Sequence, residues 1–378
     1  MIPICIAAVE AQSYRVPIDT PIKVAFGTFR DRPFVLVRVV DVDGVEGWGE
    51  AWCNWPSVGA EHRARLVADF ADRLVGQTLA HPGDAFRMLT SQLEVLVLQT
   101  GEVGPIAQAI AGIDIAVWDL AARKAGLPLY RLLGAGPVTH VPVYATGINP
   151  DRPEEYALAR RAEGHRAFKL KIGFGTELDL RNLRALREAL GPDAVLMTDA
   201  NQSLDHAAAL ALAREAAPLG LRWLEEPMRV DAPAADWRAL ADACPIPLAG
   251  GENLRGTELD EAVAGSVLSV LQPDMTKWGG VTGNLPIARA AVTRGKSFCP
   301  HVFGGGVALL ASLHLLAAAG GDGLLEFDCH PNAGRELVVG DLLPLRAGQV
   351  PLPNGPGLST TPNLAELARF RTWPPRET

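Results

Sequence analysis

Along the first fifty residues apolar and polar positions alternate, most cleanly in Phe34-Val-Leu-Val-Arg-Val-Val40, and the alternation breaks at Asp43-Gly44. A period of two belongs to a strand with one covered face, and Asp-Gly is a turn dipeptide, so this region predicts a small antiparallel sheet with a hairpin. The opening MIPICIAAVEAQSYRV has no basic region before its short apolar start and carries an acid, and it reads as an edge strand rather than a signal peptide. From about 60 to 130 the period becomes helical. Residues 106–122 are apolar nearly all round and rich in small side chains, which predicts a helix buried in a seam between two units.

Beyond Pro137 the rhythm changes to short apolar runs separated by helix-like segments rich in Ala, Leu and Arg. The runs cover residues 141–146, 166–171, 194–199, 221–225, 246–249, 267–272, 297–300 and 323–326. Eight strands alternating with helices predict an α/β fold, a modified (β/α)8 TIM barrel spanning 138–345. Residues 1–130 then form an α+β capping domain. The Pro-rich segment 346–378 has little core of its own and is expected to return to the cap and complete it.

A barrel of this kind carries its chemistry where the strands end. In AFKLKIG, Lys169 and Lys171 share one face of a strand while Phe168, Leu170 and Ile172 share the other. The following runs close with Asp199 in TDANQS, Glu225 in WLEEP, Glu252 in AGGEN, Asp274 in QPDMTKWGG, His301 in CPHVFGGG and Glu326 in LLEFD. These residues are 22 to 28 positions apart, one strand-helix unit each, so they converge on one mouth. Carboxylates from three adjacent strands, Asp199, Glu225 and Glu252, would repel one another without a cation, and hard oxygen donors favour Mg²⁺, with Mn²⁺ as the alternative. Asp274 is placed to hold the tautomer of His301. The chemistry that fits is removal of a proton α to a carboxylate, with Lys171 and His301 as bases on opposite faces. In this reading Lys169 and the ion together depress the pKa of Lys171.

Composition narrows the partners. The chain has 378 residues, a formal net charge of −8 and no basic cluster, which argues against nucleic acid and anionic membranes. No apolar run is read as long enough to span a bilayer. Five scattered cysteines without CxxC spacing argue against a disulfide framework or thiolate zinc site and suit a reducing cytoplasm.

Taken together, AFKLKIG, TDANQSLD, WLEEP, GGEN, PDMTKWGG with HVF, and LLEFD, preceded by GWGEA at 47–51, resemble the enolase superfamily and within it the mandelate racemase subgroup. The resemblance implies Mg²⁺ on Asp199, Glu225 and Glu252, Lys171 as one acid/base and an Asp274/His301 dyad as the other. It also implies that Glu326 donates a hydrogen bond to a substrate carboxylate that Lys169 touches. Substrate choice in that family lies in the cap, in two loops here at 23–32 and 52–56. Phe26, Phe29, Trp52 and Trp55 would form an apolar lid, while Lys23, Arg30, Asp31, Arg32 and Asn54 would read hydroxyls or a second carboxylate. Thr146 and Asn201 are further candidate substrate contacts, Asn201 being equally a turn former. A lysine occupies the slot of Asp274 in a sister subgroup, and Lys277 lies outside that slot. The implied reaction is dehydration of a sugar acid to a 2-keto-3-deoxy acid; the alternative is racemisation or epimerisation of a 2-hydroxy or related carboxylic acid. A homo-oligomer, dimer or octamer, is also implied.

Two rival readings stand beside these. Gly304-Gly-Gly306 would suit a phosphate-binding helix start in a phosphosugar enzyme, or merely a helix packed close to the sheet. A non-catalytic, metal-dependent carboxylate-binding protein would keep the acids but need neither base. Glu226 is expected either on the strand face opposite Glu225 or in the loop that follows, as a structural residue or a partner of the site residues, and the histidines other than His301 are expected at the surface or in helices.

Overall fold

A computed structural model describes residues 2–374. The alternating region forms the sheet it predicts: β1 (Ile4–Val24), β2 (Gly27–Asp41) and β3 (Glu46–Ala51) pair antiparallel in that order. Ile4, Ile6 and Val9 of β1 and Val35, Val37 and Val39 of β2 bury one face against helices α1 (Gly59–Phe70), α2 (Gly83–Thr100) and α3 (Val103–Lys124). Gly44 makes the β2–β3 turn at φ +79°, and Asp41 Oδ1 accepts from the N–H groups of Asp43 and Val45 at 3.0 and 2.9 Å.

Helix α3 occupies the seam foreseen for it, between β3 and the helix Gly280–Thr293. The glycines of GWGEA are required there: a Cβ on Gly47 would lie 2.1 Å from Ala116 O, and one on Gly49 2.0 Å from Gly112 O. Asp114, fully buried, accepts from Thr282 N and Oγ1 at 2.9 and 2.5 Å and ties the cap to the barrel. One expectation is corrected. α3 is long and apolar enough, by length and composition, to cross a membrane, yet most of it is buried inside the fold.

A short β4 (Thr78–Leu79) pairs with the start of β1. The eight predicted barrel strands follow: β5 (His140–Ile148), β6 (Ala167–Lys171), β7 (Val195–Asp199), β8 (Leu221–Glu225), β9 (Leu248–Gly250), β10 (Val270–Leu271), β11 (Ser297–Phe298) and β12 (Leu325–Asp328). Neighbours run parallel in chain order, and β12 returns to β5. Among the described residues no ladder joins β11 to β12; there Leu324 N–H donates to Cys299 Sγ at 3.3 Å. Tyr144, Ala167, Met197, Trp223, Ala249, Val270, Cys299 and Leu324, one from each strand or its flank, fill the barrel interior. Burying a side chain such as Met197 in this plug contributes roughly 1.5–3 kcal/mol and gives the site an apolar floor.

Long-range pairing changes the picture in three places. β13 (Gln349–Pro351) pairs antiparallel with β5, so the C-terminal segment first seals the foot of the barrel; residues 357–361 then bond to Asp119, Arg123, Leu127 and Leu129 at the end of the cap, and β14 (Arg371–Trp373) joins the cap sheet beside Ser13 and Tyr14. With β14 and β4 on one side and β2 on the other, β1 is an edge strand only between those contacts. The expected loop 23–32 is instead the tip of the β1–β2 ribbon, with Val24 paired to Gly27 and Lys23 to Thr28. Helix propensity and alternation are local, whereas the β13–β5 and β14–β1 pairings join residues hundreds of positions apart.

Candidate active site

Strand register sets the site. Lys171 pairs with Asp199 and Asp199 with Glu225, so these three stand level on β6, β7 and β8. Lys169, wholly buried, points to the same interior from one step lower. Its Nζ meets Glu225 Oε1 at 2.7 Å and Glu326 Oε1 at 2.8 Å, with Asp199 Oδ2 at 3.8 Å and the Tyr144 ring beneath it at 5.2 Å. Lys171 Nζ donates to Asp199 Oδ2. Glu225 Oε2 also accepts from Gln272 Nε2 at 2.6 Å and Trp223 Nε1 at 3.1 Å, two partners that sequence periodicity did not single out.

On the far side, His301 Nδ1 is bonded to Asp274 Oδ2 at 2.8 Å and Nε2 to Glu252 Oε2 at 2.7 Å. Asp274 Oδ1 is held by Thr276 N and Oγ1 at 2.8 and 2.6 Å. A cavity of about 500 Å³ opens above, lined by Lys171, Asn201, Glu226, Glu252, Asn253, Lys277 and His301 from the barrel and Phe26, Phe29, Trp52, Asn54 and Trp55 from the cap. Phe29 packs between Trp55 and Phe303 with ring centroids 4.8 and 5.2 Å away, which makes the apolar lid.

Among the described residues the lining does not include Lys23 or Thr146. Lys23 is paired with Asp151 at 2.6 Å on the exposed side of the ribbon, and Thr146 is buried in the β5–β12 ladder opposite Asp328. Arg32 is likewise absent from the lining and meets Asp328 Oδ2 at 2.9 Å, whereas Asn54 does line the cavity, held there by its Nδ2 donating to Phe303 O at 2.9 Å. Asn201 donates through N and Nδ2 to Asp199 at 2.8 and 3.2 Å.

The structure decides between the two placements open to Glu226, in favour of the loop. The chain turns at φ +38° on Glu226, so it enters the cavity beside Glu252, and Asn253 Nδ2 bridges to both. Pro227 was the signal available, because a strand rarely continues through it. Gln202 and Phe303 carried no comparable signal. His165 and His330 are buried outside helices, contrary to expectation, and His314 is buried within one.

The charge balance is informative. Counted as fully ionised, Asp199, Glu225, Glu226, Glu252, Asp274 and Glu326 carry two negative charges more than the Lys169, Lys171, Lys277 and His301 cations beside them can balance, and the cluster responds by holding protons. Burial and Asp199 push Glu225 up to about 7, and burial and Glu252 push Glu226 up to about 8. Burial alone would lower His301, but Glu252, Glu326 and Asp274 hold it well above its ordinary value. Burial, the largest influence, and Lys169 oppose the charge on Lys171, yet Asp199, Glu225 and Glu326 together outweigh them, so its pKa is raised rather than depressed. Glu326 differs from its implied role as well: despite burial, Lys169 and His301 lower it to about 2, and it accepts from Lys169 and Val302 N.

As the side chains stand, no three His, Cys, Asp or Glu groups among the described residues form a ready chelate. Asp199 is turned to Lys171, Glu225 to Lys169 and Glu252 to His301. The donors still fit a hard divalent cation: all are oxygens, two stand level on adjacent strands, and the crowding of carboxylates that raises Glu225 and Glu226 is what a divalent charge would relieve. The phosphate reading of Gly304-Gly-Gly306 does not hold. The start of helix Gly306–Ala319 is filled by the protein's own Glu50, whose carboxylate accepts from Gly305 N at 2.5 Å and Ala308 N at 2.9 Å.

A capped parallel barrel with ammonium, imidazole and carboxylate groups gathered under a cap-derived lid has the architecture of a barrel enzyme. Residues 153–366 match the family Enolase C-terminal domain-like, and residues 7–134 match Mandelate racemase / muconate lactonizing enzyme, N-terminal domain. The chain belongs to the enolase superfamily, in its mandelate racemase/muconate lactonizing enzyme group. It is 36% identical over 382 aligned residues, covering 97% of this chain and 98% of its relative, to D-galactarolactone cycloisomerase of Agrobacterium fabrum. A solved mandelate racemase/muconate lactonizing enzyme from Bordetella bronchiseptica RB50 is 48% identical, with TM-score 0.91 and coverage of 98% and 100% of the two chains. An L-talarate/galactarate dehydratase mutant solved with Mg and L-glucarate is 29% identical, with TM-score 0.86 and coverage of 98% and 92%.

Proposed function

We infer that this enzyme removes the α-proton of a polyhydroxylated carboxylate in a Mg²⁺-dependent reaction and then expels a β-oxygen, giving dehydration of a sugar acid to a 2-keto-3-deoxy acid. The observation that carries this is the pair Lys171 and His301, both lining one cavity that Glu226 and Glu252 also line. Asp199, Glu225 and Glu252 would hold the ion. When bound, it supplies the positive charge that makes a second negative charge on the substrate carboxylate tolerable.

The residues of the chain do the rest. Lys169, a like charge beside Lys171, acts to lower its pKa, and this influence would prevail where Asp199 is engaged with the ion instead of with Lys171. One of Lys171 and His301 takes the α-proton. The C–O bond at the β-carbon breaks, the conjugate acid protonates the departing oxygen to water, and the resulting enol tautomerises to the 2-keto acid. Lys169 neutralises the substrate carboxylate from below. Phe29, Trp55 and Phe303 exclude water from the carbanion.

A second reading is supported by the likeness to D-galactarolactone cycloisomerase along nearly the full chain: the same proton abstraction with a ring oxygen as leaving group, which isomerises a lactone without releasing water. In ²H₂O with Mg²⁺, the enzyme is expected to exchange the α-proton of its sugar acid and to accumulate 2-keto acid. Ring opening of a lactone without net loss of water selects the second reading, and inversion without keto acid selects racemisation or epimerisation. Retention of exchange in both Lys171→Ala and His301→Asn would refute the assigned bases.

A further inference from the structure

The stretch from Val302 to Gly305 connects His301 to the helix Gly306–Ala319, and its backbone is pinned from several sides. Val302 N donates to Glu326 at 2.9 Å, Phe303 O accepts from Asn54 Nδ2 at 2.9 Å, and Gly304 O accepts from Asn332 Nδ2 at 3.2 Å. Glu50 of the cap, 2% exposed, accepts from Gly305 N through Oε1 and from Ala308 N through Oε2. Arg32, also from the cap, lies 3.7 Å above the Phe303 ring.

The glycines are shaped to this carboxylate. A Cβ on Gly304 would lie 2.6 Å from Glu50 Oε1, and one on Gly305 2.9 Å from Oε2. Gly305 sits at φ −87°, where any residue is allowed, so its lack of a side chain serves the close approach and not backbone freedom. Among the described residues the cavity lining does not include Glu50.

We propose that Glu50 is a positioning residue for His301: by capping the helix that follows, it fixes the intervening loop and so locks the imidazole to the cap, while Lys171 on β6 is independent of it. The consequence is one-sided. A misplacement of about 1 Å costs on the order of 10²-fold in rate, and only the face served by His301 should pay it. This inference rests on the two-base reading above.

The test is α-proton exchange in ²H₂O, with Mg²⁺-loaded enzyme and two C2-epimeric sugar acids. His301→Asn and Lys171→Ala first assign each epimer to its base. Glu50→Gln keeps the shape but turns an amide N–H against an N–H donor. It should lower exchange on the His301 face by about 10²-fold and change the Lys171 face by less than about threefold. Gly305→Ala, whose Cβ would crowd the carboxylate out of place without straining the backbone, should give the same asymmetry and serves if Glu50→Gln fails to fold. Equal losses on both faces, or none on either, in the folded variant would overturn the proposal. If the wild-type protein exchanges neither epimer, it is the two-base reading that fails.

Discussion

Replacing Asp274 with Asn tests the dyad at a site where the structure dictates how the new amide must sit. Asp274 Oδ1 already receives two hydrogen bonds, from Thr276 N and Oγ1, so the amide keeps its carbonyl there and must direct its NH₂ at His301 Nδ1. Two effects then add. A charge-assisted hydrogen bond worth about 1.5–3 kcal/mol is lost from the imidazolium, which lowers its stability by roughly 10- to 150-fold. The amide also forces Nδ1 to accept, which places the proton on Nε2 and removes the lone pair that would take the substrate proton. Together they predict a fall of about 10²–10⁴ in kcat on the His301 face, with KM little changed because Asp274 lies below the imidazole. The assay is steady-state turnover together with α-proton exchange for Asp274→Asn, His301→Asn and the double variant. Since Asp274 acts only through His301, the double variant should be no slower than His301→Asn alone. Losses that multiply, or an Asp274→Asn enzyme within about threefold of wild type, would refute the reasoning.

Two further outcomes are expected. Adding Mg²⁺ to chelator-treated protein should raise the thermal midpoint, since a ligand at a hundred times its Kd stabilises by about 2.7 kcal/mol; the shift should vanish in Glu252→Gln, and no shift in wild type would remove the cation from the account. His314, wholly buried with its Nδ1 accepting from Tyr130 N at 3.1 Å, is depressed by burial to about 3. Because the folded value lies below the unfolded value of 6.5, its contribution is complete above pH 6.5 and is lost as pH falls toward 3. Unfolding free energies should therefore show His314→Gln gaining on wild type by about 1.4 kcal/mol per pH unit across pH 6 to 4, and a constant gap would contradict the burial argument.

The sequence by itself determined the barrel and the identity of its charged layer. Strand alternation puts Lys169 and Lys171 on one face, and the regular spacing of Asp199, Glu225, Glu252, Asp274, His301 and Glu326 places each at one end of the same sheet; both follow from local geometry with a short period. That logic ran out at Glu226, where a single left-handed residue ends the period and decides between the two placements left open by turning the side chain into the cavity. It could not decide which charge meets which. Lys23 goes to Asp151, Arg32 to Asp328, and Glu50 to a helix start 255 positions further along the chain. Hydrogen bonds and ion pairs form between groups that packing brings within about 3 Å, and separations of that kind exist only after the cap has closed on the barrel. The sequence carries which chemical groups are present and which face of a strand they occupy; the folded structure alone selects their partners, and with them the direction in which each titrating group is shifted.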